Sequence, residues 1–283
     1  MDLIVTLACN DHPGIVFAMT NAILQCDGNI IENQQFTDPA TNTFVMRTRF
    51  ETIQEFAQVE KTMKSAIKDE SAVITLREYS QKKKVLVLVT KESHCLQELL
   101  YLQEIGEMEI EIPLIVSNRN ELSGHATDHN IEFHYLPISQ NEGESKADFE
   151  NQLRAFIAKH EIDLIVLARF MQILSDEFCQ EYAGRIINIH HSFLPGFKGA
   201  KPYHQAYDRG VKIIGASAHF VTGDLDEGPI IAQDVAHVSH SATPDDLIMI
   251  GRDIERRVLS RAVRNYAQDR IFIVGNRTVV FHD

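Results

Sequence analysis

The 283-residue sequence lacks the marks of several protein classes, and each absence narrows its possible roles. It has no basic tract: the longest run of lysine is Lys82 to Lys84, and the formal net charge is −13. Nucleic acid and anionic membrane surfaces both demand clustered positive charge, so neither is expected as a partner. Cysteine is sparse. Cys9, Cys26, Cys95 and Cys179 are scattered without CxxC spacing, which argues against a disulfide framework and against a cysteine-rich zinc site. No basic segment leads into an apolar run at the N-terminus. No stretch approaches the roughly 18 uninterrupted apolar residues of a membrane span. The expectation is a reduced, soluble, cytoplasmic protein. No H-E-x-x-H helix is present, and the adjacent His190 and His191 would face opposite ways on a strand, so no metal is expected. No GxGxxG follows the first β-strand, so dinucleotide binding is not expected either, and the reading includes no cofactor. Repeats and low-complexity segments are also missing.

What is present is ordinary globular material, with 44% apolar and 24% charged residues. The length suits one large domain or two ordinary ones. Residues 1–83 carry a net charge of −3 and the remainder −10, so neither part is basic. The two parts are patterned differently. Leu3 to Cys9 reads as a strand, broken by Asn10-Asp11-His12-Pro13-Gly14. Pro13 suits a first helical turn that Asn10 or Asp11 would cap, and Ile15, Met19 and Ile23 follow at helical spacing to Gly28. Strands are expected at about 30–37 and 43–50, a helix at about 53–68 and a strand at about 72–77. The order β-α-β-β-α-β is ferredoxin-like. After a charged hinge at residues 81–84, Val85 to Val89 is a continuous apolar run, as in a strand buried on both faces of a parallel sheet. Strands and helices then alternate through strands at 112–117, 133–135, 164–168, 186–189 and 213–221. Helices are expected at 95–103, 148–159 and 244–268. A terminal β-pair lies near Ile271 and Val279. That alternation predicts an open α/β sheet.

The chemistry concentrates in Arg185 to Gly199, where an apolar strand ends in Asn188-Ile189-His190 and enters a Pro/Gly loop. Strand residues two apart share a face, so Asn188 and His190 point together at the carboxyl end of a strand, where open α/β sheets bind ligands. An amide NH₂ and an imidazole aimed at one point hold a carbonyl oxygen and the charge that develops on it. A second apolar strand, Ile213 to Val221, leads into Thr222 to Pro229. There Asp226 is placed to orient the histidine or take a proton from water. Each residue alone also fits a structural role, Asp-x-Gly being common turn chemistry. Spacing alone leaves an active site of undefined reaction.

From Lys84 onward the sequence resembles the folate-dependent formyltransferase family. The matching motifs are Asn188-Ile189-His190, Ser192-Phe193-Leu194-Pro195, Phe197-Lys198-Gly199, Gly215-Ala216-Ser217-Ala218-His219-Phe220-Val221 and Asp226-x-Gly228. The resemblance implies that Asn188, His190 and Asp226 act on the formyl group of 10-formyltetrahydrofolate, which is a substrate. It also implies that the loop Arg169-Phe170-Met171-Gln172-Ile173-Leu174 binds the pterin, and that His191, Ser192 and Gly228 help to hold the substrate. Residues 1–80 resemble the ACT family, through the element order and Asp11-His12-Pro13-Gly14-Ile15-Val16. That resemblance implies an amino-acid effector at Asn10, Asp11, His12 and Gly14, and a homo-oligomer; a plain helix N-terminus is the equal alternative for this loop. The expected fold class is α/β. It comprises an N-terminal ferredoxin-like (ACT) α+β domain at 1–80, a linker at 81–84, and an open, mostly parallel α/β sheet domain of formyltransferase type at 85–283.

The acceptor side separates transfer from hydrolysis. Family members that formylate glycinamide ribonucleotide hold its phosphate on a glycine- and serine-rich turn after the first strand, through backbone N–H groups. Here the equivalent Lys91-Glu92-Ser93-His94-Cys95-Leu96 has no glycine, and His191 replaces the usual proline. An ACT-like segment ahead of a formyltransferase-like one, together with the loop Gly196 to Ala206, resembles the deformylase branch of the family. The resemblance implies hydrolysis of 10-formyltetrahydrofolate to formate and tetrahydrofolate, supplying formate for purine synthesis and balancing one-carbon folate pools. A formyltransferase for a non-phosphorylated amine and an amino-acid-responsive binding protein are the alternatives.

Overall fold

The computed structural model describes residues 1–138, 146–196 and 202–282. The chain divides into two compact units, Met1–Gln81 together with Gln268–Asp283, and Lys82–Ala267. The first unit opens with β1 (Asp2–Asn10), α1 (Ile15–Gln25), β2 (Asn29–Asp38), β3 (Thr43–Glu51), α2 (Phe56–Lys64) and β4 (Val73–Glu78). The second holds β5 (Lys83–Val89), α3 (His94–Glu104), β6 (Ile110–Ser117), α4 (Ser123–Asp128), β7 (Glu132–Tyr135) and α5 (Lys146–His160). It continues through β8 (Leu164–Leu167), α6 (Asp176–Glu181), β9 (Ile186–His190), α7 (Pro202–Asp208), β10 (Ile213–Phe220), β11 (Ile230–His237) and α8 (Pro244–Ala267). The chain returns to the first unit with β12 (Ile271–Val274) and β13 (Arg277–Val280).

The first unit is a four-stranded antiparallel sheet in the order β2-β3-β1-β4. Leu3, Val5, Leu7 and Cys9 alternate along β1 and pack against Ile15, Met19 and Ile23 of α1 and Val59 and Met63 of α2. That is the period-two strand face meeting the period-3.6 helix face. Residues of opposite parity, Ala8 and Val45, cluster instead with Phe272, Val274 and Phe281. Arg47 is buried within this unit, with Nη1 donating to Glu32 (2.9 Å) and Nε to the Gln268 carbonyl (2.8 Å).

Four expectations are corrected here. Neither Asn10 nor Asp11 caps α1. The cap position is Gly14, in the left-handed region at φ 95°, with Pro13 before the helix and no side-chain cap. α2 is shorter than 53–68. Ile53 is exposed, and the Thr52 hydroxyl takes the Gln54 N–H (3.1 Å), holding this stretch in a turn. Lys83 and Lys84 are not linker. They pair with Ile110 and Glu111 inside β5. Residues from Gln268 onward group with the first unit, whereas the sequence placed them with the second.

The second unit is a seven-stranded sheet in the order β11-β10-β9-β8-β5-β6-β7. β7, β6, β5, β8 and β9 are parallel, and β10 runs antiparallel to both β9 and β11. Val85 to Val89 are all fully buried. Leu86 and Leu88 join the core beneath α5 and α6, with Phe149, Leu153 and Phe178, while the alternate valines face the other side. Helices on both faces explain the unbroken apolar run. From β5 the chain steps outward through β6 and β7, then crosses back to β8 and β9. The topological switch therefore falls between β5 and β8, and the carboxyl ends of the strands around it form the crevice such sheets use for ligands.

Candidate active site

A cavity of about 290 Å³ lies at these carboxyl ends, lined by residues of the β8–α6 loop, the end of β9, His219 and Val221 to Asp226. The β8–α6 loop begins at Arg169, which is left-handed at φ 62°. It is fixed at both ends. The Met171 N–H donates to Thr90 Oγ1 beyond β5 (3.1 Å), and Ser175 donates from N and Oγ to the buried Glu150 carboxylate (2.7 and 2.5 Å). Ser175 also caps α6 by accepting from the Phe178 N–H. Pinned in this way, the loop turns Met171 and Ile173 outward, and both remain exposed at the cavity.

Asn188 and His190 both line the cavity, as period-two placement on β9 requires. Asp226 meets them from the far loop, with its Oδ1 3.2 Å from His190 Nδ1. Two backbone features bring it there. Asp226 is left-handed at φ 58°, a conformation a non-glycine residue adopts at some cost. Gly228 crosses so close to β10 that a Cβ would overlap the Phe220 carbonyl oxygen. Gly228 therefore serves the Asp-x-Gly turn and stands apart from the residues that line the cavity. Ser192 is buried behind His191 and is also outside the lining, its carbonyl accepting from Ser217 Oγ (3.1 Å).

Burial opposes ionisation of the Asp226 carboxyl. The hydrogen bond from His190, and then the nearby His219 ring (Nε2 3.7 Å from Oδ1), outweigh it and hold the group well below the usual carboxylate range. His219 is the residue that sequence reasoning passed over as part of a motif. β-Pairing sets it opposite Asn188. Its Nδ1 donates to the Phe220 carbonyl (2.8 Å), leaving Nε2 to accept from the Asn188 amide (3.1 Å). That contact orients the amide. The available signal was the alternation along β10, which puts His219 on the same face as Ser217.

His191 and His190 do not face opposite ways. β9 stops at His190, so the strand rule no longer applies, and both rings line the cavity with centroids 5.3 Å apart. Burial first, then the Arg169 guanidinium, pushes the His191 imidazole down to about 4 from an ordinary 6.5. The unfolded chain therefore takes up a proton between pH 6.5 and 4 that the folded chain refuses. Stability should fall as pH drops through that window, by up to about 3 kcal/mol at 1.36 kcal/mol per pKa unit. Thermal melts against pH measure this, and His191→Asn should flatten that part of the profile.

Behind His191 sits a buried charged cluster. Glu255 of α8 accepts from the Tyr203 hydroxyl (2.6 Å), bonds to His94 Nε2 (2.8 Å) and lies 3.4 Å from Arg169 Nε. Burial opposes its charge, but His94 and Arg169 keep its carboxyl below the usual range. His94, Cys95 and Glu255 bring possible ligand atoms within 4.8 Å of one another. The donor set does not suit a metal. Both Glu255 oxygens are engaged, a guanidinium stands beside them, and burial raises the Cys95 thiol far above the range in which it would bind as thiolate.

Asn10, Asp11, His12 and Gly14 are exposed around the start of α1. The Asp11 N–H donates to the Asn42 carbonyl (2.8 Å), the Asn10 N–H donates to Ser71 Oγ (3.2 Å), and His12 Nδ1 lies 3.1 Å from the Pro13 oxygen. The Phe197-Lys198-Gly199 motif lies outside the described residues.

With this geometry in place, comparison with known proteins is informative. Residues 83–263 match the formyl transferase family. A formyltetrahydrofolate deformylase of Synechocystis sp. is 44% identical over 279 residues, which cover 97% of this chain and 96% of that protein. The crystal structure of formyltetrahydrofolate deformylase from Burkholderia mallei matches with a TM-score of 0.94 and 39% identity over 99% of each chain. The structure of glycinamide ribonucleotide transformylase 1 from Symbiobacterium toebii matches with a TM-score of 0.67 and 28% identity, over 71% of this chain and 95% of that one.

Proposed function

The chain belongs to the formyltetrahydrofolate deformylase family, and we propose that it hydrolyses 10-formyltetrahydrofolate to formate and tetrahydrofolate at Asn188, His190 and Asp226. The observation that carries the residue assignment is the His190–Asp226 contact beside the oriented Asn188 amide, at the cavity where the loop after β8 would receive the pterin. Water attacks the formyl carbon. Asp226, ionised by its histidine contacts, takes the proton released. Asn188 and the imidazolium form of His190 donate to the oxyanion. On collapse the C–N bond breaks, N10 takes that proton back from Asp226, and the formic acid released ionises to formate, its proton passing to solvent. The reading calls for no metal and no cofactor. Arg169, Phe170, Met171, Gln172 and Ile173 hold the folate, with His191 beside the reacting carbon.

The test is incubation of the full chain with 10-formyltetrahydrofolate and no amine. Formate release supports hydrolysis. Release only after an amine is added would assign a formyltransferase, and no turnover would leave a binding protein.

The first unit is read as an ACT-type regulatory domain, supported by its β-α-β-β-α-β order and the left-handed Gly14 at the start of α1. In that reading an amino acid binds at Asn10, Asp11, His12 and Gly14, the domain pairs in a homo-oligomer, and the cytoplasmic enzyme supplies formate to purine synthesis. An effector must bind active and inactive states unequally to change turnover. At least one amino acid should therefore shift both melting temperature and formate release. If none shifts either, the domain is an assembly element.

A further inference from the structure

The steps above leave one polar group at the reacting end of the cavity without a task. His191 follows the last residue of β9, lines the cavity, and lies between the rings of His190 (5.3 Å) and Tyr203 (6.3 Å). Among the described residues its contacts are these ring contacts and the charges of Arg169, Glu255, His190 and Asp226, with no hydrogen bond to a side chain. Its neighbours explain why. The Tyr203 hydroxyl is committed to Glu255 Oε1, and Oε2 of the same carboxylate to His94. Arg169 offers only donors. His190 Nδ1 is directed to Asp226. An imidazole at the end of this cavity therefore presents one acceptor and one donor nitrogen to whatever enters it.

We propose that His191 is a further catalytic residue, holding the attacking water against the formyl carbon by accepting one of its hydrogen bonds. This rests on the hydrolytic reading and deepens it. The water oxygen forms the new C–O bond while the carbonyl π pair moves to the oxygen at Asn188. The proton released passes to Asp226, which returns it to N10 as the C–N bond breaks, and the formic acid formed ionises to formate. His191 aligns the water and takes no net proton. The surrounding charges suit that role: Arg169 disfavours a proton on the ring, while Glu255 and Asp226, the carboxylates facing it, are each engaged by other partners. The ring is also held in place. Tyr203 backs His191 and cannot retreat toward α8, because it packs directly on Gly251, where even a Cβ would overlap its hydroxyl. Tyr203 and the Glu255 cluster thus hold the ring from behind and keep its direction.

The experiment compares the wild-type chain with His191→Ala and His191→Gln, measuring formate release and tetrahydrofolate affinity. His191→Ala should lose about 100-fold in kcat, the order expected when the attacking water is no longer held in line. Its KM should stay within about threefold, and its tetrahydrofolate affinity should be unchanged. His191→Gln keeps an acceptor and should retain more activity. Added imidazole should restore part of the turnover of His191→Ala and leave the wild type unaffected. Near-normal kcat in folded His191→Ala overturns the proposal. So does loss of folate affinity in step with kcat, or failure of imidazole to restore turnover, since either would assign His191 to packing alone. His191→Gln decides the matter if the alanine variant does not fold: turnover lower than wild type with folate affinity retained supports the role, and unchanged turnover overturns it. Absence of formate release by the wild type would sink the hydrolytic reading itself, a result separable from any of these.

Discussion

Asn188→Ala is expected to lower kcat by about 10²- to 10³-fold, the loss seen when one donor to a developing oxyanion is removed. Two features of the site make the loss that large. The amide is held in place before substrate arrives, because His219 accepts from Asn188 Nδ2 and is itself fixed by donating to the Phe220 carbonyl. A preset donor needs no reorganisation as charge develops, so its effect falls on the transition state rather than on binding. KM and tetrahydrofolate affinity should therefore change little, and kcat/KM should fall with kcat. Formate release by folded Asn188→Ala at near wild-type turnover would remove the amide from the mechanism. Asn188→Asp makes the complementary test. It keeps the size of the side chain but places an acceptor where a donor is required, and should be no better than alanine.

The period of the hydrophobic pattern carries the fold, and it fails where tertiary packing decides. Val85 to Val89 announced a strand buried on both sides because every residue in the run is apolar. β11 was not anticipated. Ile230–His237 includes Gln233 and Asp234, and Gln233 faces the interior only because Ser217 Oγ and the Leu194 carbonyl take its amide (2.8 and 3.1 Å). A half-buried edge strand with a satisfied polar residue has neither a clean alternation nor a continuous apolar run. The terminal β-pair was expected, but its place was not. β12 carries Phe272 and Val274, and β13 carries Val279, into a cluster with Val45 and Ala8, more than two hundred residues earlier, and local sequence does not encode that distance. The first helix shows the opposite error. Asn10 and Asp11 are good capping residues by type, but the chain turns at Gly14, whose left-handed φ makes the cap without a side chain.

The site divides in the same way. Asn188 and His190 are legible because two residues on one strand must share a face. Asp226 is legible only as a loop residue; its approach to His190 depends on its own left-handed φ and on the crossing of Gly228 over Phe220. His191 could not be aimed from sequence, since its direction turns on β9 ending one residue earlier. His219 needs the β9–β10 register, which sets it beside Asn188. Fold alone would not have supplied the reaction. The motifs did, and the comparisons then gave the family.

Asp226→Asn should be the most revealing single substitution. Asparagine is close to isosteric and tolerates a left-handed backbone well, so the turn at φ 58° is retained. Its side-chain oxygen still accepts from His190 Nδ1, which keeps the imidazole oriented. What disappears is the negative charge and the proton acceptor, and formate release should fall by about 10²- to 10⁴-fold with KM nearly constant. Stability carries a second signature. The folded-state pKa of Asp226 is depressed by His190 and His219 despite burial. Its contribution is therefore complete above the unfolded carboxyl value of about 3.9 and is lost only as pH falls through the lower folded value. At neutral pH the wild type should melt above Asp226→Asn, and the gap should narrow on acidification below pH 4. The same depression means that protonation of Asp226 does not set the acid limb of the activity profile, because the carboxylate stays ionised well below neutrality. Normal turnover in folded Asp226→Asn would exclude Asp226 as the proton acceptor, whereas a large loss in kcat with an intact melting transition separates its charge from its place in the turn.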